Sequence, residues 1–313
     1  MAVAAALALG GCGGSDDPSR PAPSPAEFPS AKGKTIEQLL ESSGARPTKL
    51  VIAPAARVFD PGENRYPFGV FTLDHEQISD ADVALYFAKD GGSPVQGPLP
   101  AAVTSLETKP AYRAQGSVGP AEATTAYVVP KVDFDRRGPW LAIAMLKGPD
   151  GLEASRVPSP TVGQFPQVPA VGEKAPVIHT PTAADVGGDL AKIDTRVPPD
   201  QMHAVDLADI VGRKPVVLVF ATPALCQSRV CGPVVDVAQQ VADRYDGEVE
   251  FIHMEVYEDN DPSKGLRPQL KAYGLPTEPW TFLIDRNGTI RDRIEGALGV
   301  AELERAMKKI VTG

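Results

Sequence analysis

The sequence predicts two folded parts, an all-β sandwich followed by an α/β domain. Three observations carry this reading. The chain has 313 residues, more than one ordinary core uses and enough for about two domains of ~100–150 residues. From Lys49 to Val162, short apolar or alternating runs are separated by turn residues; after Val171, apolar runs of strand length alternate with helical periods. The 32 prolines and 29 glycines exceed what a helical protein tolerates, so turns must be frequent. The net charge of −9 comes with no basic block, which argues against a nucleic-acid partner because nothing would neutralise phosphates.

Residues 1–12 hold an apolar run, Ala2 to Leu9, then Gly10-Gly11-Cys12 and the polar stretch Gly13-Gly14-Ser15-Asp16-Asp17. The run is too short to span a bilayer. It resembles a bacterial lipoprotein signal with its lipobox. That resemblance implies a lipid on Cys12 and a protein held at the extracytoplasmic face of the cell membrane. Residues 13–34, with Pro18, Pro21, Pro23, Pro25 and Pro29 among Ser, Ala and Gly, read as a Pro-rich tether. Thr35 to Ser43 reads as a short helix with Ile36, Leu39 and Leu40 on one face and Gly44 as its stop.

Residues 35–162 are expected to form the β-rich domain. Strands are expected near Lys49–Phe59, Pro67–Leu73, Val83–Ala88, Ala101–Leu106, Thr124–Val132, Trp140–Lys147 and Leu152–Val157. Turns fall at Asp60-Pro61-Gly62, Asp90-Gly91-Gly92, Arg137-Gly138-Pro139 and Gly148-Pro149-Asp150-Gly151. Seven such strands resemble the immunoglobulin-like sandwiches of exported proteins. This part has no cysteine, and His75 between Asp74 and Glu76 reads as a solvated loop residue, so any function here is binding. Residues 163–170, within the run Pro158 to Pro169, read as an extended linker.

Residues 171–313 are expected to fold as β-α-β-α-β-β-α. The strands are Pro215–Phe220, Val249–Val256, Trp280–Ile284 and Thr289–Arg293; the helices are Val234–Tyr245, around Leu266–Tyr273, and Val300–Val311. Asp285-Arg286-Asn287-Gly288 supplies the hairpin turn. Two motifs then stand out: Val230-Cys231-Gly232-Pro233 after the first strand, and Gly274-Leu275-Pro276-Thr277-Glu278-Pro279-Trp280 before the third. Together they resemble the thioredoxin superfamily, whose Trp-Cys-Gly-Pro-Cys site faces a cis-proline. The resemblance implies a cis peptide at Pro279 and a partner groove lined by Glu278, Pro279, Trp280, Gly232 and Pro233. The opening Gly172-Glu173-Lys174-Ala175-Pro176 and the stretch Val205 to Ile210 are similar to the exported and peroxiredoxin-like branches.

Val234 stands where the family has its second cysteine. The remaining partner is Cys226, giving Cys226-Gln227-Ser228-Arg229-Val230-Cys231. With Cys12 consumed by lipid, these two cysteines can pair only with each other in an oxidising compartment. Five residues along one helix separate Cα atoms by ~8–9 Å, beyond the 4.4–6.8 Å range of a disulfide. Proline belongs at the first helical position, so the helix is expected to start near Gly232, with Cys226 in the preceding loop and Cys231 at the helix N-terminus. Unpaired amides there favour a thiolate, and Arg229 adds positive charge. Cys231 is therefore expected to attack and Cys226 to resolve, an assignment that can be exchanged.

The expected activity is thiol–disulfide exchange with thiols or disulfides of exported proteins, needing no cofactor. Three other readings compete. The pair could be a static staple. A peroxiredoxin branch shares the C-x4-C spacing, but Pro223 stands where that family has threonine, and Pro279 where it has its late arginine. A Sco-type copper chaperone would use Cys226, Cys231 and a histidine, His253 foremost, with His203 or His179 as the others; that family's histidine lies in a late loop, and none follows His253 here. Thioredoxin's buried carboxylate is absent from its usual strand, since Val216 to Phe220 is wholly apolar.

Overall fold

A computed structural model describes residues 19–115, 124–148, 151–226 and 228–311. Cys12 and its signal lie outside these residues, as does the centre of the expected Gly148–Gly151 turn.

The helix α1 (Ile36–Ser43) forms where expected. Thr35 caps it, its hydroxyl accepting from the amide of Gln38 while the Gln38 side-chain oxygen accepts from the amide of Thr35, and Gly44 ends it at φ 65°. Eleven strands follow: β1 (Arg46–Pro47), β2 (Val51–Pro54), β3 (Gly62–Phe71), β4 (Val83–Ala88), β5 (Gln96–Pro100), β6 (Ala102–Ser105), β7 (Thr125–Phe134), β8 (Gly138–Pro139), β9 (Leu141–Gly148), β10 (Gly151–Val157) and β11 (Thr161–Val162). One sheet runs β1-β10-β9-β4-β5 and another β2-β3-β7-β6, with β11 paired to β8. The β1–β10 pair is parallel. Both sheets turn apolar side chains into one core, in which Tyr66, Phe68, Phe87, Tyr127, Phe134 and Trp140 are buried. Their rings meet edge-on or stacked at centroid distances such as 5.1 Å for Tyr66–Phe87 and 5.4 Å for Phe87–Phe134.

Two departures from expectation concern Pro-rich sequence. From Ser19 onward, the segment expected to be a tether packs instead. Phe28 and Ala31 join Ile36 and Leu39 on the outer face of the five-stranded sheet, over Ala84, Tyr86, Ile143 and Met145, and Arg20 bridges Val103 through paired backbone bonds. Gln96-Gly97-Pro98-Leu99-Pro100, without apolar alternation, forms strand β5 through a cis bond at Gly97–Pro98. β3 likewise begins at Gly62, inside the expected turn.

The expected linker also packs. Val168 is 3 % exposed, and Arg293 donates to the carbonyls of Val168 and Pro169 at 3.1 and 2.9 Å. After a short helix α2 (Leu207–Ile210) come β12 (Val216–Phe220), α3 (Cys231–Ala242), β13 (Glu250–Met254), α4 (Pro268–Ala272), β14 (Trp280–Ile284), β15 (Ile290–Glu295) and α5 (Val300–Val311). The expected β-α-β-α-β-β-α order is present. The sheet runs β13-β12-β14-β15, with β12 parallel to β13 and antiparallel to β14.

This sheet is buried on both faces, so β12 reads Val-Val-Leu-Val-Phe without alternation. Val217, Val219, Leu283 and Ile294 turn toward α3 and α5. Val216, Leu218, Phe220, Trp280, Phe282 and Ile284 turn the other way. The two halves of the chain meet through specific polar bonds. Arg65 of β3 pairs with Glu302 of α5 and donates to the carbonyls of Glu295 and Ala297. Glu295 accepts from the amides of Arg57 and Val58 at 3.0 and 2.9 Å.

Candidate functional site

Cys226 and Cys231 are disulfide-bonded, with Cα atoms 6.0 Å apart. Cys231 is the first residue of α3 and Cys226 lies in the loop before it, as the helix-spacing argument requires. The helix begins one residue earlier than expected, so Pro233 occupies its third position. The amides of a helix's first turn have no intrahelical partner, so proline removes nothing there. Between the cysteines, Arg229 adopts φ 61°, a left-handed turn that brings the chain back on itself.

The two sulfurs differ in exposure. Cys231 is 0 % exposed and packs in the core between α3 and the sheet. Cys226 is half-buried, with its sulfur 3.1 Å from the Ser228 hydroxyl. Of the two sulfurs, Cys226 is the one open to solvent.

The Glu278–Pro279 bond is cis, as the resemblance implied, and it delivers Glu278 to the disulfide. A carboxylate oxygen of Glu278 and the two sulfurs all lie within 4.8 Å of one another. Burial, with a contribution from the charge of Glu255, pushes the Glu278 carboxyl up to about 8, while a hydrogen bond from Tyr257 opposes the rise. Glu255 is 1 % exposed; one oxygen accepts from the amide and hydroxyl of Thr195 at 2.7 and 2.6 Å, and the other has no partner. One Glu278 oxygen is also buried without a partner. A half-buried acid thus exists beside the disulfide, although β12 is apolar as read from the sequence. It comes from the residue before the cis-proline.

The other groove residues separate. Gly232 and Pro233 are buried in the first turn of α3. Trp280 does not line the disulfide side. It is 1 % exposed and points to the opposite sheet face, stacked on Phe282, because side chains along β14 alternate. Its ring nitrogen donates to Thr277, whose hydroxyl bonds Glu295 at 2.5 Å. Trp280 borders a separate cleft with Asp60, Arg65 and Arg293.

The histidine expected in the copper reading is elsewhere. His253 Nδ1 bonds Asp200 at 2.7 Å and Nε2 bonds the Ala221 carbonyl at 3.1 Å. It groups with Asp194, Asp200 and His203, not with the sulfurs. In that cluster the Asp200 carboxyl is held down at about 2 by His253, against its burial, and its charge lifts His253 to about 10. His179 is exposed and bonds Asp206 at 2.7 Å; His75 is exposed with φ 66°.

Glu255, Tyr257, Asp194 and Asp200 were not singled out from the sequence. A signal existed for Glu255: in Phe251-Ile252-His253-Met254-Glu255, it follows His253 at the two-residue period of one sheet face.

No family model and no curated protein matches this chain. A solved structure does: a crystal structure of a putative thiol:disulfide interchange protein DsbE from Chlorobium tepidum is 19% identical. The match covers 44% of this chain and 96% of that one, with a TM-score of 0.31. Among the described residues, no helix is long and apolar enough to cross a membrane.

Proposed function

We propose that this protein is an extracytoplasmic thiol–disulfide oxidoreductase with a thioredoxin-like catalytic part, acting on exported protein thiols or disulfides. The supporting observation is a disulfide with one reachable sulfur and one sulfur at a helix N-terminus, beside a half-buried acid. A static staple needs neither the acid nor the asymmetry.

A substrate thiolate attacks Cys226 Sγ. The Cys226–Cys231 bond breaks and its electron pair passes to Cys231 Sγ, where the first amides of α3 stabilise the charge. The substrate is now joined to Cys226 in a mixed disulfide. Its second thiolate attacks its own sulfur in that bond, the electron pair leaves on Cys226, and the substrate departs oxidised. Glu278, protonated at neutral pH, donates to a departing thiolate and is recharged from solvent. The same steps in reverse reduce a substrate disulfide. In this reading the N-terminal β part, an immunoglobulin-like module, is a binding surface, and a lipid on Cys12 holds the protein at the membrane.

The test is redox equilibrium. Full-length oxidised protein is mixed with a peptide dithiol and quenched with acid, and the species are resolved by mass. Exchange through Cys226–Cys231 gives reduced protein and oxidised peptide in proportions set by the starting ratio. A disulfide that stays intact in the folded protein, and exchanges only above its unfolding transition, would establish the staple instead.

A further inference from the structure

We propose that Asp194, Asp200, His203 and His253 form a closed structural site for one divalent cation of the zinc class, separate from the cysteines. Nothing in this proposal depends on the thiol chemistry.

The four side chains are 2 %, 1 %, 2 % and 1 % exposed, and one ligand atom from each lies within 4.8 Å of all the others. Three come from a single loop, 194–203, and the fourth from β13. A tetrahedral ion with bonds of ~2.0–2.1 Å to nitrogen and oxygen sets its ligands about 3.3 Å apart. The nearest nitrogen–oxygen separations here lie around that length, each carboxylate turning one oxygen to each histidine. His203 Nε2 lies 3.3 Å from Asp194 and 3.5 Å from Asp200; His253 Nδ1 lies 2.7 Å from Asp200 and 3.8 Å from Asp194.

The surrounding bonds are those that orient metal ligands. The Asp194 carboxylate accepts from the amides of Arg196 and Asp200 at 2.8 and 2.6 Å, and Asp200 accepts from the amide of Met202 at 2.8 Å. His253 Nε2–H donates to the Ala221 carbonyl, which leaves Nδ1 facing the two carboxylates. His203 is the least firmly held of the four. It is buried, its Nε2 contacts are at or beyond the ordinary 2.7–3.2 Å hydrogen-bond range, and its Nδ1 has no partner. Hydrogen bonds hold His253 at both ring nitrogens but His203 only weakly; an ion at His203 Nε2 would supply the strong partner that this nitrogen lacks.

The chemistry selects the ion. Two imidazoles and two carboxylates suit zinc or a metal of similar preference rather than a soft monovalent one. Two neutral imidazoles, two carboxylates and one divalent cation sum to no net charge, as a dry pocket requires. Binding releases any proton held between His253 and Asp200. All four positions are filled by protein, so the site is structural rather than catalytic. It would fasten loop 194–203 to β13 and, through the Ala221 carbonyl, to the start of the loop that carries Cys226.

Because the site is buried, the ion must enter as the chain folds. The full-length protein should be unfolded with chelator and refolded with Zn2+ or Co2+, then freed of loose metal by gel filtration. The expected result is about one ion per chain by elemental analysis. Co2+ should give the intense visible bands of a tetrahedral site without the near-ultraviolet absorption of a cobalt–thiolate bond. Both should persist in the Cys226→Ser/Cys231→Ser double variant, and His203→Gln should lower retained metal at least ~10-fold. The wild-type cobalt spectrum decides even where His203→Gln fails to fold. Folded wild-type protein that retains no metal would overturn the proposal. So would a thiolate band, loss of the metal in the double cysteine variant, or the weak spectrum of octahedral cobalt.

Discussion

Replacing Glu278 by glutamine should flatten a pH dependence that the site imposes on both stability and exchange. Burial first, and the charge of Glu255 second, raise the Glu278 carboxyl from its ordinary 4.5 to about 8. A folded-state value above the unfolded one means that the folded protein binds the extra proton. The associated stability is complete below about 4.5 and is lost as pH rises through about 8. The difference corresponds to an upper bound on the order of 5 kcal/mol against ionising Glu278 in the fold. Glutamine keeps the shape and carries no charge. Urea denaturation of the oxidised protein and of Glu278→Gln at intervals from pH 5 to 9 measures this directly. Wild-type stability should fall relative to the variant by several kcal/mol, progressively between about pH 5 and 8, and level off above. In parallel, the exchange rate of the wild type should carry an inflection near pH 8 that the variant lacks. A stability difference that stays constant over that range would refute the assignment of Glu278 as a half-buried proton carrier.

Three further outcomes follow from the geometry. Cys226 should be alkylated by iodoacetamide well before Cys231 in the reduced folded protein, as peptide mapping would show, because Cys231 is 0 % exposed; equal rates would remove the asymmetry on which the mechanism rests. Arg196→Ala should cost ~3–5 kcal/mol in chemical denaturation, since it leaves Asp236 buried without the 2.8 Å pair and strips donors from the carbonyls of Pro198 and Tyr112; a loss under ~1 kcal/mol would contradict this. Gly296→Ala should destabilise by at least ~1–3 kcal/mol and loosen the junction of the two halves, because Gly296 has φ 79° and a Cβ there would collide with the Ala55 carbonyl oxygen; unchanged unfolding would show that the junction yields.

The C-terminal elements were legible because their signals are local. Apolar runs that follow a proline marked β12 and β14, the Asp285–Gly288 turn placed β15, and Pro233 set the start of α3 to within one residue. The Pro-rich segments were misread for a different reason. Proline composition reports a lack of helix and central strand, but not whether Phe28, Val168 or the backbone of Gln96–Pro100 finds a surface to pack on. The disulfide followed from chain geometry; the order of its sulfurs did not, because exposure is a tertiary property. Glu278 was named as a groove residue from its place before Pro279. Its pairing with Glu255 depends on the end of β13 reaching the same face as β14, which no spacing in the sequence shows. Trp280 was misassigned by one step of strand alternation: the residue after the cis-proline already faces the opposite core.

Trapping the mixed disulfide tests the central claim most directly. Full-length Cys231→Ser and Cys226→Ser proteins should each be incubated with an oxidised peptide disulfide and the adducts measured by intact mass. The account predicts a stable one-to-one adduct on Cys226 of the Cys231→Ser protein, forming far faster than on the Cys226→Ser protein, whose single sulfur is buried. Adducts forming equally slowly on both, at the rate of an unfolded control, would show that the Cys226–Cys231 pair performs no exchange in the folded protein.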